Sequence, residues 1–163
     1  MIILKSKGEK EKMQDTIDNY WQSFLEEKGL PQELRYNSCF HFELTEKLAN
    51  KLLDLVLMGI KKATSSSLVG YEIEGESIPK EGEYHIITDW EGHPRCVIKT
   101  VKVTILPFKE MTYDICKREG EDDTLESWQR GHIKFFEAEG RELGYTFTED
   151  MPVIFEDFEV IYS

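Results

Sequence analysis

Gly59-Ile60-Lys61-Lys62-Ala63-Thr64-Ser65-Ser66-Ser67 is where one periodicity gives way to another. Before it, Leu48, Leu52, Leu55 and Val56 recur at helical spacing between a Thr45 N-cap and Met58. Gly59 is placed to end that helix. After it, a hydroxyl-rich run enters a segment, Thr64 to Glu72, that turns apolar and reads as β. Successive side chains of an extended chain alternate, so Thr64 and Ser66 share one face while Ser65 and Ser67 share the other. A face turned to the core must find partners for those hydroxyls. Two readings follow from spacing alone: the wall of a polar cleft beside a basic loop, or a solvated loop running into an edge strand.

Outward from this stretch, the C-terminal side stays β-rich. Ile78-Pro79-Lys80-Glu81-Gly82-Glu83 reads as a turn, Tyr84 to Thr88 as a strand, and Asp89-Trp90-Glu91-Gly92-His93-Pro94 as a hairpin loop. Cys96 to Leu106 alternates and is rich in β-branched residues, which predicts a long, bent strand. A third helix opens at Asp123 or Thr124. It carries Leu125, Trp128, His132, Phe135 and Phe136 along one side and ends at Gly140 or Gly144. Val153 to Tyr162 closes the chain as a strand with an irregularity near Asp157. On the N-terminal side, Ile17, Tyr20, Trp21, Phe24 and Leu25 predict a helix over Asp15 to Lys28, stopped by Gly29 and Pro31. Residues 5–12 are Lys-rich and read as frayed or helical. Strands that follow one another without intervening helices point to an α+β fold, an antiparallel sheet or small barrel rather than a doubly wound one.

The 163 residues amount to about one ordinary domain, with 40% hydrophobic side chains to fill a core. Twenty basic against 32 acidic residues leave a net charge of -12, which argues against a uniform polyphosphate-binding surface. A small ligand, or a few nucleotides held in a cleft, suits that charge better. The three cysteines, Cys39, Cys96 and Cys116, are far apart in sequence and read as free thiols. The apolar run Met1 to Leu4 is too short for a signal peptide or a membrane span, so the expected location is cytoplasmic, with no membrane partner.

Motifs that announce chemistry are few. There is no phosphate-binding P-loop, dinucleotide fingerprint or nucleophile elbow. His41, His85, His93 and His132 lack metal-ligand spacing, so no metal and no cofactor is expected. The run Arg118-Glu119-Gly120-Glu121-Asp122-Asp123 places four carboxylates in five residues before a helix. A helix N-terminus accounts for Asp122 and Asp123. A further carboxylate could sit in a cleft with a raised pKa or pair with Lys61. Trp128 and His132 lie on the apolar stripe and read as packing residues, whereas Trp90 lies in a loop where it could stack on a base.

These segments, in order, resemble the ASCH domain family of the PUA-like superfamily. The family pattern Gly-x-Lys-x-x-(Thr/Ser) reads here as Gly59-Ile60-Lys61-Lys62-Ala63-Thr64. It continues through Tyr71-Glu72, Gly75-Glu76-Ser77-Ile78-Pro79, Gly82-Glu83-Tyr84 and Pro94-Arg95-Cys96-Val97-Ile98. Glu119 to Trp128, then His132, Phe135-Phe136 and Met151-Pro152-Val153, complete the set, so the resemblance runs from about residue 15 to the end.

The resemblance implies a PUA-like small β-barrel of mixed or antiparallel strands with about three flanking helices. It implies one domain over residues 1–163, with 1–35 as an N-terminal helical extension. It links the chain to RNA, or to a modified nucleoside whose cytidine-like base carries an acyl amide that a Lys/Thr/Glu set hydrolyses. On that reading Lys61, Thr64 and Glu121 are catalytic: the lysine as base, the threonine or a water as nucleophile, the glutamate as acid or orienting group. Gly59, Lys62, Ser65, Ser66, Trp90 and Asp122 are the substrate-binding candidates. Many members carry an arginine two residues after the threonine. Ser66 stands there in this chain, a departure that bears on substrate specificity. The alternatives are a non-catalytic RNA-binding or a ribonuclease-like RNA-processing module, with a basic strip drawn from Lys61, Lys62, Lys99, Lys102, Arg130 and Lys134, and a regulatory domain that binds a small ligand without turnover.

Overall fold

A computed structural model describes residues 6–163; the apolar run at residues 1–4 and Lys5 lie outside the described residues. The chain runs α1 (Lys7–Lys28), β1 (Ser38–Phe40), α2 (Glu46–Leu57), β2 (Ala63–Ser67), α3 (Leu68–Glu74), β3 (Tyr84–Thr88), β4 (Pro94–Pro107), α4 (Tyr113–Cys116), α5 (Leu125–Leu143) and β5 (Pro152–Tyr162). Single 3-10 turns at Phe108–Glu110 and Lys117–Glu119 flank α4.

The strands form one five-stranded sheet in the order β1-β3-β4-β5-β2. β1 pairs with β3 in parallel and every other ladder is antiparallel. The long β4–β5 ladder shifts register between Thr100 and Lys102, opposite Phe158 and Asp157. One extra residue there, Val101, makes a bulge in β4, and a bulge of this kind bends its strand and increases local twist. The sheet is therefore curled into a half-barrel whose two edges, β1 and β2, do not pair with each other.

The period-two alternation of β3 and β4 divides their side chains between two helices. Ile86 and Val97 pack under α1 with Trp21, Phe24 and Leu25. Ile87, Cys96 and Ile98 pack under α2 with Leu52, Leu53 and Val56. The other half of the sheet, through Ala63, Val153 and Phe155, packs with Trp128 and Phe136 of α5. α1 is fixed at both ends: Ser6 and Glu9 form a reciprocal cap, and Gly29 closes it in a left-handed conformation. Trp21 Nε1 donates to the Leu34 carbonyl at 3.0 Å and ties the helix to the loop that follows.

The three helices expected from periodicity are present, and α3 and α4 raise the number to five. The segment expected as β through Glu72 stops being a strand at Ser67. There the Ser67 hydroxyl accepts the Gly70 N–H at 3.1 Å and starts a helix. A Cβ at Gly70 would lie 2.5 Å from Ser67 Oγ, so glycine makes room for that cap. The cap overrides a run, Leu68-Val69-Gly70-Tyr71, that alternation alone leaves ambiguous. Among the described residues no helix is long and apolar enough to cross a membrane.

Candidate active-site cleft

Two turns build the site. At the end of α2 the Ile60 and Lys61 N–H groups both donate to the Leu55 carbonyl, at 2.9 and 3.0 Å, with Gly59 in a left-handed conformation (φ 73°). This wraps the chain inward and buries the Lys61 side chain to 1% exposure. The second turn, Lys117–Glu119, ends at Gly120 (φ 70°). A Cβ at Gly120 would collide with the Ile60 carbonyl, so only glycine lets the acidic turn approach this closely. The Lys62 N–H donates to the Arg118 carbonyl at 3.0 Å, and Arg118 clamps Asp157 of β5 through Nε and Nη2 at 2.6 and 3.1 Å.

The two turns bring opposite charges together out of water. Lys61 Nζ donates to Glu121 Oε2 at 2.6 Å, to the Ala63 carbonyl at 2.7 Å and to Glu119 Oε1 at 3.5 Å. Its three N–H bonds have three acceptors, and the ring of Phe42 lies 5.4 Å from Nζ. Glu119 is buried and also accepts from Ser65 Oγ (3.0 Å) and Trp128 Nε1. His132 stacks on Trp128, four residues earlier on α5, with ring centroids 4.0 Å apart. Its Nδ1 donates to the Trp128 carbonyl at 2.9 Å, which turns Nε2 toward Glu119 at 3.4 Å.

Environment separates the two carboxyls. Burial disfavours the Glu119 charge, but His132, Lys61 and the donated hydrogen bonds outweigh it and hold this carboxyl below the usual range. For Glu121, burial and the Glu119 charge together outweigh Lys61, and its pKa is raised. Burial opposes the His132 cation, and Glu119 more than offsets that, so the imidazole pKa is raised. Its surroundings thus favour the charged form of Glu119, while Glu121 takes up a proton more readily than an ordinary glutamate.

A cavity of about 50 Å³ opens onto this cluster. Lys61, Thr64, Ser65, Glu119, Glu121 and His132 form its polar wall, and Phe42, Glu43, Leu52 and Phe135 the remainder. Of the residues picked out from sequence, Lys61, Thr64, Ser65 and Glu121 are brought together here. Gly59 and Lys62 line a separate cavity of about 530 Å³ with Val101, Arg118 and Phe158, at which Lys61 is the shared wall. Ser66 lies outside this cavity's wall. Asp122 accepts from Ser127 Oγ at the start of α5. Trp90 packs against His41 with centroids 4.7 Å apart, and its backbone N–H donates to Asn50 Oδ1 at 3.1 Å.

Sequence reasoning assigned no site role to Glu119 and read His132 as a packing residue. A signal for both existed: Glu119 and Glu121 flank a glycine, and His132 follows Trp128 by one helical turn. Glu43 was missed as well. Among the described residues it is the one non-glycine with positive φ, at 63°.

A family model described as the ASCH domain matches residues 38–162. The crystal structure of protein EF3133 from Enterococcus faecalis V583 superposes with a TM-score of 0.83 at 33% identity, covering 91% of this chain and 89% of that one. The crystal structure of an ASCH domain from Lactobacillus crispatus JV V101 superposes with a TM-score of 0.79 at 34% identity, covering 94% of this chain and 96% of that one. Among curated proteins none matches the chain significantly.

Proposed function

The chain belongs to the ASCH domain family, and from that premise we propose that its Lys61 cleft hydrolyses a short acyl amide on the exocyclic amine of a cytidine-type nucleoside. The observation that carries the reading is the fully buried Lys61, shared between Glu119 and Glu121 beside Thr64 in one cleft. Buried ion clusters cost more in desolvation than they return unless every member is satisfied. Perturbed carboxyls of unequal character gathered in a cleft are a mark of acid–base work.

Proton balance follows from the geometry. The 2.6 Å contact lets Lys61 pass a proton to Glu121, whose burial and proximity to Glu119 favour the neutral acid. The free amine then takes a proton from a water, or from the Thr64 hydroxyl, as that oxygen attacks the acyl carbonyl. When the C–N bond breaks, Glu121 gives its proton to the leaving nitrogen. Lys61 is left as the ammonium and Glu121 as the carboxylate, the pair from which the cycle began; where Thr64 is the nucleophile its acyl ester remains, and a water then hydrolyses it with the same base, releasing the carboxylic acid and restoring the threonine hydroxyl. Glu119 stays ionised throughout, and its charge favours the protonated form of Glu121 until the leaving nitrogen takes the proton.

Cavity size supports a short acyl group. A water needs roughly 10–15 Å³ of such space, so a 50 Å³ cavity holds about four non-hydrogen atoms. The nucleoside itself would rest at the mouth.

The test is turnover of a panel of N-acylated nucleosides by the wild type, Lys61→Ala, Glu121→Gln and Thr64→Val. Acetyl substrates should be favoured over longer chains. Lys61→Ala and Glu121→Gln should each lower kcat by roughly 10²-fold or more. Thr64→Val keeps the side-chain shape and separates lost chemistry from lost folding. Turnover that survives Lys61→Ala, or no turnover on any substrate, would reject the assignment.

A further inference from the structure

The wall of the cleft carries a half-buried carboxylate in an unusual backbone conformation. Glu43 lines the cavity and has φ 63°, a region that side chains other than glycine, asparagine and aspartate seldom enter. Strain of this kind persists where the surrounding structure over-determines it, and it clusters at ligand-contacting positions. Here the neighbours on both sides are fixed. Phe42 is buried in the α2 cluster, and Thr45 caps α2 by accepting the Leu48 N–H. Glu43 is held between them, with one oxygen, Oε2, accepting the Leu44 N–H at 3.3 Å.

The position matters because of what lies beside it. The N-terminal end of α2, a 12-residue helix, follows directly, and such an end attracts anions. In this chain Glu43 precedes that end, while Glu46 and Lys47 in its first turn balance each other and stand outside the cavity wall. The other charged groups of the cleft do not offset Glu43. Lys61 is committed to Glu119 and Glu121, and His132 faces Glu119. A ligand arriving at the mouth therefore meets negative charge.

We propose that Glu43 restricts the cleft to uncharged nucleosides and turns away those carrying a phosphate. This rests on the acyl-nucleoside reading above and names the charge class of its substrate. A neutral ribose meets an acceptor at the rim and pays no repulsion. A 5′-phosphate, or the backbone of an RNA strand, meets the Glu43 carboxylate where a helix end would otherwise have welcomed it.

The experiment compares one N-acylcytidine with its 5′-monophosphate, as the ratio of kcat/KM, in the wild type, Glu43→Asn and Glu43→Gln. Asparagine tolerates positive φ, so Glu43→Asn removes the charge and keeps the turn. Glu43→Gln keeps the length. The wild type should favour the unphosphorylated substrate, and both variants should narrow the ratio by about tenfold at low salt, as expected for removing one charge a few ångströms from a phosphate. The effect should shrink as ionic strength rises. A ratio that ignores both substitutions overturns the proposal. Equilibrium binding of cytidine and cytidine 5′-monophosphate, followed by the NMR shifts of His132, gives a second readout. If no acyl nucleoside is turned over but Glu43→Asn still raises monophosphate affinity relative to cytidine, the hydrolase reading falls and the role of Glu43 stands. Binding of neither ligand, or an unchanged affinity ratio, rejects the role of Glu43 whatever the turnover.

Discussion

The second buried carboxyl system of the protein runs across β1, β3, β4 and β5, and a single residue reports on it. Ser38 Oγ donates to His85 Nδ1 at 2.7 Å, His85 Nε2 bonds Thr100 Oγ1 at 3.1 Å, and Thr100 Oγ1 donates to Glu156 Oε1 at 3.0 Å. Because the Thr100 proton points to Glu156, His85 must donate through Nε2 and accept through Nδ1. That arrangement is the neutral imidazole, in agreement with a pKa lowered by burial. Burial pushes Glu156 from 4.5 up to about 7, with Glu83 adding to the rise and Thr100 opposing it. The sign of its linkage follows. A carboxyl whose folded pKa is raised stabilises the fold fully below its unfolded value and loses that contribution as pH climbs through the folded value. Glu156→Gln cannot ionise and escapes the loss. Urea titrations at pH 4.5, 6, 7 and 8 should show the variant gaining on the wild type between pH 4.5 and 7, by up to ~3 kcal/mol, then levelling off. A stability difference that does not change with pH would show that Glu156 ionises normally. His132, also raised, shifts wild type and variant alike and cancels from the difference.

At the scale of elements, the cleft depends on two turns meeting, and Gly120 is where they touch. Fully buried Glu119 and part-exposed Glu121 reach Lys61 and the cavity wall from either side of it, an arrangement set by the left-handed turn. Gly120→Ala combines positive φ with a Cβ directed at the Ile60 carbonyl. It should destabilise the protein by about 1–3 kcal/mol, read as a lower melting temperature, and should lower kcat with it by displacing Glu121 from Lys61. An alanine variant with native stability and native activity would mean that the turn does not set the cleft. Legibility in sequence ran along the same division. α2 and α5 showed because their apolar stripes and hydroxyl caps are local, and Thr45 and Thr124 do cap them. β3, β4 and β5 showed through alternation, and the irregularity expected near Asp157 is the register shift opposite Val101. β1 did not show, because three residues carry no period and its partner, β3, lies more than 40 residues on. Lys61, Thr64 and Glu121 came from a resemblance carried by a short motif. Glu119 and His132 could not come from spacing, since their roles are fixed by Trp128 and Lys61 converging from separate elements.

Over the whole molecule the charge of -12 sets what can approach. The cations that might have formed a strip for RNA are divided. Lys61 is buried in the cleft, and Lys99 lies over Tyr84, in the cluster beneath α1. Arg130 and Lys134 are exposed on α5, which covers the opposite half of the sheet. Long-range repulsion acts on every phosphate of a strand, whereas a nucleoside feels only the cleft. The measurable consequence is in salt dependence. A protein that neutralises 6–10 phosphates loses roughly 10³–10⁵ in affinity between 50 and 200 mM salt. Fluorescence anisotropy with an unmodified single-stranded RNA should instead show weak binding, with a slope matching no more than about two released counterions. The same RNA should compete poorly with an acyl nucleoside for turnover. Tight binding with a steep slope would place an RNA-contacting surface on this chain despite its net charge. Because Lys61 is out of solvent's reach, such a surface would have to be built from Lys62, Lys102 and the α5 cations, and Lys61→Ala would leave that slope unchanged while abolishing hydrolysis.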